Sequence, residues 1–132
     1  MSIHRILLVE DDEFVAEVAE AILEELGYQC ARAVDGRAAL EALEIGEFDL
    51  VVSDVVMPRM DGIQLYAEAR QRWPNLPFVL TSGYYEMLEG AEKALPAGFT
   101  ILQKPYKVED LLIEMDKAVK LVGGVGLIEE AA

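Results

Sequence analysis

Three short, uninterrupted apolar runs constrain this chain most: Ile6-Leu7-Leu8-Val9, Leu50-Val51-Val52 and Phe78-Val79-Leu80. A strand with one wet face alternates apolar and polar residues. A run that is apolar throughout must be covered on both faces, which points to a parallel sheet sandwiched between helices. Each run also stops abruptly in polar residues. The first meets Glu10-Asp11-Asp12-Glu13, the second Ser53-Asp54, and the third Thr81-Ser82-Gly83.

Helical periodicity fills the gaps between runs. Val15, Val18, Ala19, Ile22, Leu23 and Leu26 recur at three- and four-residue spacing, with acids between them and Gly27 placed as a C-cap. Tyr28 to Val34 reads as a weaker, more polar strand at a sheet edge. Asp35-Gly36 is a turn or cap before a helix carrying Ala39, Leu40 and Leu43 and ending near Gly46. Phe48 to Ser53 is the third strand and delivers Asp54, after which Pro58 forbids continuation and Asp61-Gly62 reads as a turn or N-cap. A helix from about Gly62 to Trp73 stops before Pro74. Pro77 to Gly83 is the fourth strand, and Tyr84 to Ala97 the least regular helix, interrupted by Gly90 and closed by Pro96. Phe99 to Gln103 is the fifth strand. Leu111, Leu112, Met115, Ala118, Val119 and Val122 mark one face of a final helix.

Strands alternating with helices imply βαβ units with right-handed crossovers, a doubly wound five-stranded parallel sheet. The expected domain spans residues 1–122, with 123–132 as a short acidic tail. The chain holds 132 residues, 53% of them hydrophobic, enough for one domain with a real core. Lys and Arg number 11 against 25 Asp and Glu, a net charge of −14. That balance argues against direct nucleic-acid binding and against anionic membranes. No apolar run reaches the roughly 18 residues of a membrane span. The lone Cys30 reads as a half-buried strand residue in a reducing compartment, and the N-terminus carries no secretion signal. The expectation is a soluble, cytoplasmic protein.

Parallel strands bring their carboxyl ends together, where open α/β sheets bind ligands. The first strand supplies Glu10 and Asp11, the third Asp54, the fourth Thr81, and the fifth Lys104. Each has a plain structural reading alone: a loop cap, helix N-terminal charges, a strand-forming threonine, a solvated lysine. Their joint arrival at four strand ends is harder to dismiss. Clustered carboxylates raise one another's pKa unless a cation joins them, and a hard divalent ion such as Mg²⁺ suits oxygen ligands. With Lys104 adding positive charge, the set suits phosphoryl transfer to Asp54 as nucleophile.

The motifs Val9-Glu10-Asp11-Asp12, Asp54-Val55-Val56-Met57-Pro58-Arg59-Met60-Asp61-Gly62, Leu80-Thr81-Ser82-Gly83-Tyr84 and Lys104-Pro105-Tyr106 resemble those of response-regulator receiver domains. The resemblance runs from about Arg5 to Val122 and is strongest toward receivers of hybrid sensor kinases and stand-alone receivers. It implies a flavodoxin-like fold with strand order 2-1-3-4-5, and a signalling switch rather than an enzyme. It further implies that Asp54 accepts a phosphoryl group from a phosphohistidine. Glu10, Asp11, Asp54 and the Val56 backbone carbonyl would hold Mg²⁺. Thr81 would move to bind a phosphoryl oxygen, Lys104 would pair with it, and Lys104-Pro105 would be a cis peptide. The implied partners are a sensor histidine kinase or histidine phosphotransfer protein and a downstream protein target, with a homodimer left open. The implied output face combines the helix after the fourth strand, the fifth strand and the final helix.

Departures from the family pattern matter. Ile101 stands where many receivers carry an aromatic switch residue, with Tyr84, Phe99 and Tyr106 as substitutes. Val56, two residues after Asp54, and Gly83, two after Thr81, offer no polar side chain to orient water, so self-dephosphorylation should be slow. Val56 also weighs against an Asp-nucleophile phosphatase, which would want a second Asp there. A flavodoxin-like nucleotide or flavin carrier would want a glycine loop after the first strand, where four acids stand instead.

Overall fold

The computed structural model describes residues 3–83 and 98–123. The helix expected over 84–97 and the tail beyond Gly123 lie outside the described residues. Five strands, β1 (Arg5–Val9), β2 (Gln29–Ala33), β3 (Leu50–Asp54), β4 (Phe78–Ser82) and β5 (Phe99–Gln103), form one parallel sheet in the order β2-β1-β3-β4-β5. Among the described residues four helices accompany it: α1 (Glu13–Glu25), α2 (Gly36–Ile45), α3 (Gly62–Arg72) and α4 (Val108–Leu121).

The apolar runs are buried on both faces, as their composition requires. Leu7, Val9, Val51, Phe78 and Leu80 face α2 and α3, packing with Leu43, Leu65 and Tyr66. Ile6, Leu8, Leu50, Val52 and Val79 face α1 and α4, packing with Leu23, Leu111 and Met115. Tyr66 meets Phe78 and Phe99 edge-on, at centroid separations of 5.3 and 4.9 Å. Truncating one of these aliphatics to alanine would cost about 2–5 kcal/mol.

Local chemistry fixes where helices begin. The Asp12, Asp35 and Asp61 side chains accept from the backbone N–H groups of Val15, Ala38 and Gln64. Gln64 returns the favour by accepting from Asp61 N–H, which completes a capping box. α1 closes at Gly27, whose φ is +96°.

Two readings of the pattern need correcting. Val34 lies outside β2 and is exposed. The buried face of α1 is Ala16, Ala19 and Leu23, whereas Phe14 is 73% and Val18 46% exposed. The two alanines seat the helix against the sheet, and that rotation carries the bulkier Phe14 and Val18 to the flank.

Strand register positions the chemistry. Val9 lies beside Ser53, Asp54 beside Thr81, and Ser82 beside Gln103. The carboxyl ends of β1, β3, β4 and β5 therefore finish side by side, and the loops that follow them share one rim.

Candidate phosphoacceptor and metal site

A cavity of about 290 Å³ opens on that rim, lined by Glu10, Asp11, Asp12, Val15, Asp54, Val56, Ser82, Gly83 and Lys104. Carboxylate oxygens of Glu10, Asp11 and Asp54 lie within 4.8 Å of one another. Lys104 reaches in from the end of β5. Its ammonium donates to Glu10 and lies 3.3 Å from Asp54 Oδ2. Lys104 N–H donates to the Ser82 carbonyl at 2.8 Å, fixing where the side chain begins, and Lys104-Pro105 is cis.

The electrostatics follow from burial. Glu10 is buried and Asp54 mostly so, while Asp11 is exposed. Desolvation pushes the Asp54 carboxyl up from 3.8 to about 6, with Lys104 opposing and Glu10 reinforcing the rise. Burial alone would depress the Lys104 ammonium, but its bond to Glu10 and the charge of Asp54 outweigh that and leave it raised. Lys104 is thus a fixed cation facing more negative charge than it can balance. Three hard oxygen donors at this spacing, with water access, fit a small divalent cation.

Asp54 is held by its neighbours. Its Oδ1 accepts from Val55 N–H at 3.0 Å, and Val55 N–H also donates to the Thr81 carbonyl at 2.9 Å. A Cβ on Gly62 would stand 2.2 Å from the Asp54 carbonyl oxygen, so only glycine lets α3 start this close.

Glu10, Asp11, Asp54, Val56 and Lys104 therefore share one cavity. Thr81 lies beside Asp54 in register and is buried, but it does not line the cavity; Ser82, the next residue, does. The hydroxyl pair at the end of β4 was visible in sequence, and a shift of one residue decides which member meets the rim. With Ser82 in that role, the position two residues on is Tyr84 rather than Gly83, and Tyr84 lies outside the described residues.

The aromatic substitutes sort by environment. Phe99 is locked against Tyr66 in the core. Ile101 packs beside the same cluster. Tyr106 is half-buried beside α1, its phenol pushed up by burial. Cys30 is half-buried on β2, and burial, reinforced by Glu20 and Glu24, raises its thiol to about 12. That thiol is a poor nucleophile at neutral pH. No described helix is long and apolar enough to cross a membrane.

Known proteins share these features. The profile of the response regulator receiver domain family matches residues 6–116. The chain is 41% identical over 108 residues to the sensor kinase CckA of Brucella abortus, covering 80% of this chain and 11% of that protein. It is 34% identical over 113 residues to the response regulator receiver protein CpdR of the same organism, covering 86% and 94%. Among solved structures, the signal receiver domain of an HD domain-containing protein from Pseudomonas fluorescens aligns with a TM-score of 0.81 at 28% identity. That alignment covers 93% of this chain and 91% of the other. The receiver domain of a histidine kinase from Syntrophus aciditrophicus aligns at 0.79 with 30% identity, covering 98% and 99%.

Proposed function

The chain belongs to the response-regulator receiver domains of two-component signalling, and on that premise we propose that Asp54 is its phosphoacceptor. The donor is a phosphohistidine on a sensor histidine kinase or histidine phosphotransfer protein. The observation that carries this is the meeting of three carboxylates and Lys104 in one cavity at the strand ends.

In the proposed step, a carboxylate oxygen of Asp54 attacks the phosphorus in line. A P–O bond forms as the P–N bond breaks, and the departing imidazole nitrogen keeps the electron pair and takes up a proton. Glu10, Asp11, Asp54 and the Val56 carbonyl are the proposed holders of Mg²⁺, which when bound supplies positive charge against the phosphoryl oxygens. Lys104, beside Asp54, offers a second positive charge. Ser82 is proposed as the hydroxyl donor to a phosphoryl oxygen, in place of the Thr81 suggested by sequence, because Ser82 lines the cavity. The products are a phosphorylated receiver and a free histidine, so the chain is a switch that assists its own modification.

The surroundings suit a helical donor. A groove of about 360 Å³ runs beside the cavity, lined by Phe14, Val18, Ile22, Pro105 and Tyr106, and Lys104 borders both. Glu13 and Glu17 of α1 are exposed. A donor helix with an apolar stripe flanked by basic side chains would bury Phe14 and Val18 while presenting its histidine to Asp54. A downstream protein target, cytoplasmic residence and a homodimer belong to the same proposal, with light scattering before and after phosphorylation as the check on the last.

Incubation with acetyl phosphate and Mg²⁺, followed by intact mass, tests the reading. Wild type should gain one phosphoryl group and Asp54→Ala none. An adduct that survives Asp54→Ala would overturn it.

A further inference from the structure

The loop from Val55 to Asp61 carries the Val56 carbonyl, yet its middle leans on a different part of the fold from its ends. Near Asp54 it is held by Val55 N–H on Thr81, and Gly62 N–H donates to the Val55 carbonyl at 2.9 Å. Its crest is tied to the start of α2. The Arg59 guanidinium donates to Asp35 Oδ2 at 2.8 Å, and Gly36 N–H donates to the Met60 carbonyl at 3.2 Å. A Cβ on Gly36 would stand 2.7 Å from that same oxygen, so a glycine is required for the approach.

Asp35 divides its carboxylate between two tasks: Oδ1 caps α2 through Ala38 N–H at 2.8 Å, and Oδ2 takes Arg59. The Asp35 side chain is 3% exposed and that of Arg59 is 73%. The bond therefore ties an open guanidinium on the loop to a buried carboxylate on the α2 side. Arg59 also sits at φ +69°, alone among the described non-glycine residues in the left-handed region. A glycine there would relieve the backbone. The contact thus fixes the loop's shape, holding Arg59 in a backbone conformation it would otherwise leave.

We propose that Asp35 and Arg59 are a positioning pair that sets the Val56 carbonyl and thereby tunes the cation affinity of the site; this rests on the reading of that site given above. Val56 itself is exposed and lines the cavity, between the buried core residues Val55 and Met57, so its carbonyl is placed by that anchorage together with the ties at the loop's crest. The pair acts from the α2 side, three residues along the chain from Val56, without touching the carboxylates.

The test measures Mg²⁺ binding by calorimetry on the full chain, with melting temperature without Mg²⁺ and the amide NMR signals of Val56 and Arg59 alongside. Asp35→Asn keeps an N-cap oxygen while removing the charge, and Arg59→Gly removes the charge while accepting the backbone conformation. Each should weaken Mg²⁺ about tenfold, as expected for groups that orient ligands from behind. The double variant should bind no more weakly than either single, because both remove one contact. The Val56 amide signal should move, and Arg59→Gly should melt no lower than wild type. Mg²⁺ affinity within about twofold of wild type in Arg59→Gly, with wild type still phosphorylated at Asp54, would overturn the pairing alone. Failure of wild type to bind Mg²⁺ or take up a phosphoryl group would sink the site reading and this inference with it.

Discussion

The two ends of the sheet are built on opposite rules. Near the amino ends of β1 and β3, the charges of Asp49, Arg5, Arg72 and Glu44 have ordinary uses. Asp49 accepts from both His4 and Arg5 N–H at 2.9 Å, Arg5 lies over the Phe48 ring at 4.5 Å, and Arg72 pairs with Glu44 while covering Trp73. At the carboxyl ends, Glu10, Asp11 and Asp54 crowd together and, among the described residues, the Lys104 ammonium answers them. Among the described residues, no buried side-chain nitrogen or oxygen lacks a hydrogen bond, so the crowding is not a packing failure. Concentrated like charge raises the energy of the resting state and leaves the rim poised to gain from added positive charge or from charge neutralisation. The amino end is where the chain gains stability, and the carboxyl end is where it gives some up.

Changes at the functional rim should alter chemistry more than stability, and the hydroxyl pair gives the largest contrast. Ser82→Ala should slow phosphoryl uptake about a hundredfold, the scale for losing one donor to developing charge. Thr81→Val, beside it but off the cavity, should leave the rate within about threefold of wild type. Rates from acetyl phosphate by intact mass would decide, and the reverse ranking would return the role to Thr81. At Val56, an asparagine could orient a water, so Val56→Asn should shorten phosphoryl lifetime about tenfold. No shortening would overturn the expectation that Val56 slows dephosphorylation by withholding a polar side chain.

Asp49→Ala probes the opposite end and should have the smallest effect. It leaves two backbone N–H groups at the start of β1 to solvent and should cost about 1 kcal/mol by urea unfolding. Phosphoryl uptake should stay unchanged. A loss of uptake there would break the division between the ends.

How far the sequence revealed each end depends on how local the signal is. The apolar runs specify buried parallel strands by themselves, and Glu10, Asp11, Asp54 and Lys104 follow at once from where those runs stop. That Ser82 rather than Thr81 lines the cavity was harder to read, because one residue of register at a strand end swaps the face a side chain meets, and Thr81-Ser82 offers a hydroxyl either way. The partial exposure of α1 was hidden because Val18 fits the apolar period as well as Ala19 does; only packing against the sheet chooses the alanines. The Asp35–Arg59 contact spans 24 residues and depends on a left-handed arginine, which no propensity predicts.

Above all, Asp54 is held ionised at a cost to stability. The folded-state carboxyl titrates at about 6 against 3.8 in a free side chain. A raised acid subtracts stability above pH 6. As pH falls from 6 to 3.8, the folded state takes up the proton first and the penalty disappears. Asparagine mimics the protonated form, so Asp54→Asn should be about 2–3 kcal/mol more stable than wild type at pH 8, and no more stable at pH 3.5. The deciding measurement is the melting temperature of both proteins at pH 8, with and without Mg²⁺. Asp54→Asn should melt higher than wild type without Mg²⁺, and Mg²⁺ should raise the wild type by several degrees while barely moving the variant. A variant that melts lower, or gains as much from Mg²⁺ as wild type does, would contradict it.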